Sequence, residues 1–100
     1  MDRVIEDLKE IAMNYRVNKI ILFGSRARGD HSLVSDYDFA VFEKHLSTLD
    51  KARFCTDVDE IETLKKIDIV FVQENTTDEL MKRFKRDGVI VYEQIANQVK

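Results

Sequence analysis

One hundred residues with a formal charge of −3 and a single cysteine point to one domain, residues 1–100, with no internal disulfide and no general affinity for nucleic acid. A lone thiol suits a reducing cytoplasm, and the lack of proline, with glycine at only three positions, leaves no flexible linker. No apolar run is long enough to span a bilayer as a helix, and the N-terminal segment carries both charge signs, unlike a signal peptide.

Val4, Ile5, Leu8, Ile11, Ala12 and Tyr15 recur every three or four residues and predict the buried face of a first helix, with Asp2, Glu6 and Asp7 near its positive end. Lys19 to Phe23 (KIILF) reads as a strand covered on both sides. Ser25 can cap a helical turn through Arg28 that Gly29 closes, and Tyr37 to Phe42 (YDFAVF) is a second strand. Ser47 and Asp50, a variant of the capping box, predict a helix to about Lys65 with an apolar stripe of Leu49, Ala52, Cys55, Val58, Ile61 and Leu64. Lys66 to Val72 (KIDIVFV) is a third strand. Thr76 and Glu79 then open a last helix holding Leu80, Met81 and Phe84, with Gly88 just past its end. Val89 to Tyr92 is a short fourth strand, and the residues from about 94 onward form a helical or frayed tail. This alternation predicts an α/β (α+β) layer structure, a mixed sheet of about four strands packed by helices, with the strand order left open.

Three carboxylates break the apolar pattern. Strand alternation puts Asp36 and Asp38 on one face, their Cα atoms about 6.5 Å apart, while Tyr37 and Phe39 face the other way. Asp68 sits between Ile67 and Ile69 in an otherwise apolar strand. A buried acid needs a partner, a proton or a cation, and a divalent metal turns the mutual repulsion of three acids into binding. All-oxygen donors favour Mg²⁺ or Mn²⁺, and the set can hold two ions. Beside the acids, Gly24 leaves room for a ligand, the short helix offers its amides, and Ser25, Arg26 and Arg28 add a hydroxyl and two cations suited to phosphate. Each piece also has a plainer reading: Gly24-Ser25 as a simple turn, Asp68 as an edge-strand acid reaching water, and the arginines as surface partners of nearby acids. The conjunction favours a site for nucleotide phosphoryl chemistry.

Gly24-Ser25, ten residues, Asp36-x-Asp38 and Asp68 on a later strand together resemble the polymerase-β-type nucleotidyltransferase superfamily. "GSRARGD" and the chain length are most similar to its minimal nucleotidyltransferases, the MNT antitoxins of HEPN/MNT pairs, over roughly Val4 to Glu93. The resemblance implies a Mg²⁺-dependent enzyme that moves a nucleoside monophosphate, AMP from ATP, to a hydroxyl and releases pyrophosphate. It implies that Asp36 and Asp38 bind both metals, that Asp68 completes the metal that activates the acceptor, and that Gly24 and Ser25 hold the triphosphate. It also implies a HEPN-type toxin as partner, neutralised by AMP added to a tyrosine.

Relatives that modify antibiotics or nucleic acids carry an extra helical domain for the acceptor, so this chain is expected to receive its acceptor from another chain or by self-association. The rival functions are a non-catalytic module that masks its partner and an adenylyltransferase acting on a small molecule such as an antibiotic. Lys82 to Arg86 (KRFKR) is a basic run on an acidic chain, read either as a solvated helix end or as a partner contact. His31, in the loop beside the proposed site, and Cys55, on the apolar stripe, read as a solvated and a core residue respectively.

Overall fold

The computed structural model describes residues 2–29, 36–73 and 75–94, without the side chains of Ser25 and Arg28; His31 and the tail beyond residue 94 lie outside it. The elements run α1 (Arg3–Ala12), β1 (Val17–Phe23), α2 (Ser25–Arg28), β2 (Tyr37–Glu43), α3 (Thr48–Asp59), β3 (Ile67–Val72), α4 (Asp78–Asp87) and β4 (Val89–Glu93). They form one mixed sheet in the order β3-β2-β1-β4. β1 pairs antiparallel with β2 and β4, while β3 lies parallel to β2. The parallel pair needs a crossover, and α3 provides it.

Alternation along the strands sorts the core onto two faces. On one, Val4, Leu8 and Ala12 of α1 and Phe54 and Val58 of α3 cover Ile20, Leu22, Phe39 and Val41. The ring of Phe54 meets those of Tyr15 and Phe71 edge-on, at 5.4 and 6.0 Å. On the other, α4 is the element that packs among the described residues, driving Phe84 onto Ile21, Phe23 and Ala40, with Phe23 and Phe84 ring centroids 4.8 Å apart. Phe84 is the sole buried residue of α4.

Helix ends follow local chemistry. Asp2 caps α1 by accepting from the Val4 and Ile5 amides at 2.9 and 3.2 Å. Ser47 accepts from the Asp50 amide at 3.1 Å, as its spacing predicts. Three expectations are corrected. First, α3 stops at Asp59, not near Lys65. The Glu60 and Ile61 amides donate to carbonyls only three residues back, tightening the last turn before the chain leaves toward β3. Second, its buried face is Phe54 and Val58, four apart, whereas Leu49 and Leu64 are exposed and Cys55 is half-buried. A strict three-residue stripe falls behind a 3.6-residue helix and drifts off the core. Third, α4 is capped by Thr77, whose hydroxyl accepts from the Leu80 amide, while Thr76 accepts from the Gln73 amide at 2.8 Å and closes the turn after β3. Gly88 ends α4 with ordinary negative φ. Its lack of Cβ matters for packing, because that atom would fall against the Phe84 carbonyl and 2.5 Å from Ile21 Cγ2.

Candidate active site

Sheet register places the acids. Asp38 stands opposite Asp68 in the β2/β3 ladder and opposite Phe23 in the β1/β2 ladder. Gly24 follows Phe23 directly, so the end of β1 and the starts of β2 and β3 form one edge carrying a glycine turn and two facing carboxylates. Asp38 and Asp68 lie on the α4 face of the sheet, with Phe23 and Ala40. Asp38 is half-buried; Asp36 precedes β2 and is exposed. Asp68 is on an edge strand, its side chain 44% exposed, so the plain reading of it as an acid reaching water holds alongside its pairing with Asp38.

Gly24 and Asp38 are fitted to each other. The glycine adopts φ +80°, and a Cβ there would lie 2.6 Å from Asp38 Oδ2, closer than nonbonded atoms approach. Glycine both makes the turn and leaves the carboxylate its space. Gly29, at φ +83°, closes α2 with nothing within 4 Å of where its Cβ would be.

Burial pushes the Asp38 carboxyl above the usual range, and the charges of Asp68 and then Asp36 push it further; Arg83 and Lys66 act against them. Lys66 Nζ lies 3.7 Å from Asp68 Oδ1. Arg83, on α4, has its guanidinium 5.5 Å from the centre of the Phe23 ring, the residue paired with Asp38. Sequence reasoning did not single it out, since its only signal was membership of a basic helical run.

Arg26 has a different setting. Its guanidinium sits 4.0 Å over the ring of Tyr37, which belongs to the α1/α3 face. The Tyr37 hydroxyl donates to Asp2 Oδ2 at 2.7 Å, so the residue between the two site aspartates is tied to the cap of α1. Burial, then the bond to Asp2 and its charge, push the Tyr37 hydroxyl up to about 12, with Arg26 opposing.

The donor chemistry fits a hard divalent cation: all candidate donors are carboxylate oxygens, and the repulsion raising Asp38 is what a cation would relieve. Among the described residues, no three carboxylate, thiol or imidazole groups are already drawn together into a metal cage. A depression of about 740 Å³ lined by Glu43, Lys44, Val72, Gln73 and Asn75 opens at the opposite end of β2 and β3, and Glu43 there is already paired with Lys51 at 3.3 Å.

Comparison with known proteins identifies the family and the fold. The model of the family described as "Polymerase beta, Nucleotidyltransferase" matches residues 6–97. No curated protein matches the chain in sequence. Among solved structures, a toxin-antitoxin complex with AMP-PNP superposes with a TM-score of 0.66 at 17% identity, over 91% of this chain and 74% of the other. The complex of a tri-AMPylated Shewanella oneidensis HEPN toxin with an MNT antitoxin gives 0.65 at 15% identity, over 91% and 71%. A protein assigned as a nucleotidyltransferase from Sulfolobus solfataricus gives 0.59 at 22%, over 90% and 77%. At these identities the likeness is one of fold.

Proposed function

The chain belongs to the polymerase-beta nucleotidyltransferase family, and from that premise we propose that it is an MNT-type antitoxin that transfers AMP from ATP to a hydroxyl of a HEPN-type partner protein. The observation that carries this reading is the Asp38–Asp68 pair set beside a glycine whose missing Cβ leaves Asp38 its place. The shared fold of an AMPylated HEPN toxin's MNT antitoxin, and of a toxin-antitoxin pair holding AMP-PNP, supports the choice of nucleotide and partner.

In this reading Asp36, Asp38 and Asp68 would hold Mg²⁺ or Mn²⁺ at two positions, where such cations would supply charge neutralisation for the phosphates and polarisation of the acceptor hydroxyl. Asp36 and Asp38 serve both positions, and Asp68 serves the one next to the acceptor. Gly24 and Ser25 hold the triphosphate, and Arg26 and Arg28 add positive charge beside it. Asp68 lies on the opposite side of Asp38 from Gly24, so the acceptor approaches over β3 and the triphosphate over β1.

The test is neutralisation of the partner toxin by substoichiometric protein with Mg·ATP. An enzyme protects many equivalents of partner and loses this ability in Asp38→Ala. Protection only at one-to-one ratio, retained by Asp38→Ala, would establish the masking module instead.

A further inference from the structure

The reading above leaves the departing end of the nucleotide with only the glycine-serine turn and the α2 arginines. Three observations place another cation there. Among the described residues, α4 is the one helix on the sheet face that carries Asp38 and Asp68. It is anchored on that face by Phe84, wedged against Phe23 at 4.8 Å and Phe42 at 6.2 Å. One residue before Phe84, the Arg83 guanidinium reaches over the Phe23 ring, and Phe23 is both the partner of Asp38 across the ladder and the neighbour of Gly24. Lys66 holds the corresponding place on the other flank, 3.7 Å from Asp68. The edge therefore reads across the sheet as Lys66, Asp68, Asp38, Phe23-Gly24 and Arg83, with one cation on the acceptor flank and one on the triphosphate flank.

We propose that Arg83 binds the β- and γ-phosphates of the nucleotide and stabilises the pyrophosphate as it leaves; this rests on the nucleotidyltransferase reading. In that reaction the acceptor oxygen bonds to the α-phosphorus as the bond from α-phosphorus to the bridging oxygen breaks. The hydroxyl proton passes to solvent, and the electron pair departs with pyrophosphate, where charge accumulates. A planar, permanently charged guanidinium braced against an aromatic ring is suited to two phosphate oxygens at once. Arg83 is exposed, so it has reach and its removal leaves the core intact. Arg86, one turn on, is held by Asp87 at 3.1 Å.

The experiment measures binding of Mg²⁺ with an ATP analogue non-hydrolysable between the α- and β-phosphates, and separately of AMP, to wild type, Arg83→Ala, Arg83→Lys and the exposed control Lys82→Ala. Arg83→Ala should weaken the triphosphate analogue about tenfold while AMP changes less than about twofold. Arg83→Lys, which keeps the charge but neither the fork nor the stacking on Phe23, should recover only part of the loss, and Lys82→Ala should bind like wild type. Unchanged analogue binding by Arg83→Ala, or an equal loss for AMP, would overturn the assignment of Arg83 and leave the main reading standing. Failure of the wild type to bind either nucleotide would overturn both.

Discussion

Substituting Gly24 by alanine separates a backbone effect from a site effect, because the fold contains its own control. Gly24 and Gly29 both lie in the left-handed region, at φ +80° and +83°. Alanine in that conformation costs about 1–2 kcal/mol at either position, which for a domain of this size lowers Tm by about 4–8 °C per kcal/mol. The two differ in surroundings: the new Cβ meets nothing near Gly29, but at Gly24 it falls 2.6 Å from Asp38 Oδ2. Ordinary contact begins at 3.4 Å, so that oxygen must retreat by 0.8 Å, the difference of the two distances. A half-exposed carboxylate tip can swing away at little cost in stability, so the damage falls on placement. Displacing a site group by about 1 Å can cost about a hundredfold in rate, and we expect the loss of Mg·ATP affinity to be of the same order. At a Mg·ATP concentration a hundred times the wild-type Kd, ligand binding stabilises wild type and Gly29→Ala by about 2.7 kcal/mol. A hundredfold weaker site leaves Gly24→Ala only about 0.4 kcal/mol of that gain. Thermal melts of the three proteins with and without Mg·ATP read both quantities. Full ligand stabilisation of Gly24→Ala, or its loss in Gly29→Ala as well, would refute the argument that Gly24 exists to make room for Asp38.

The raised Asp38 carboxyl predicts a pH signature. Its contribution to stability is complete below the unfolded-state value near 4 and is lost as pH rises through the higher folded-state value. Without divalent cation, wild type should therefore lose stability across that window relative to Asp38→Asn, and Mg²⁺ should restore it; parallel pH–Tm profiles would count against the repulsion among Asp68, Asp36 and Asp38. Phe84→Ala should cost about 3–5 kcal/mol in urea melts, and a loss under about 1 kcal/mol would mean that α4 is not anchored as described. Phe54→Ala should cost a similar amount, with Leu49→Ala within about 0.5 kcal/mol; the reverse order would reinstate the face of α3 that the sequence pattern suggests.

What could be read from sequence and what could not divides along physical lines. Burial in α1, β1 and β2 is periodic and local, so their faces were legible from apolar spacing alone. The Gly24-Ser25 turn, the Asp36-x-Asp38 pair and Asp68 were legible because a carboxylate or a glycine among apolar residues violates that pattern. Strand order was not, since pairing Asp38 with Asp68 depends on a crossover whose register no single segment encodes. The face of α3 is only partly legible: Val58 and Ile61 of the expected stripe are buried, but Leu49, Ala52, Cys55, Val58, Ile61 and Leu64 keep a period of three that a helix does not share, so Leu49 and Leu64 are exposed while Phe54, off that stripe, fills the core. Thr76 and Thr77 are chemically equivalent as caps, and only the turn after β3 decides which serves α4. Arg83 was hidden in KRFKR, where the helix-end preference for cations explains every basic residue equally well. Its distinction comes from Phe84 beside it, which rotates that one arginine toward Phe23.

The most direct test of the account is the intact mass of the partner protein after incubation with this chain, ATP and Mg²⁺, wild type beside Asp36→Ala/Asp38→Ala. The account predicts that the partner gains one or more AMP units with wild type and none with the double variant. An unchanged partner mass, with both proteins binding it equally tightly, would contradict the account and reduce the carboxylate edge to a structural feature.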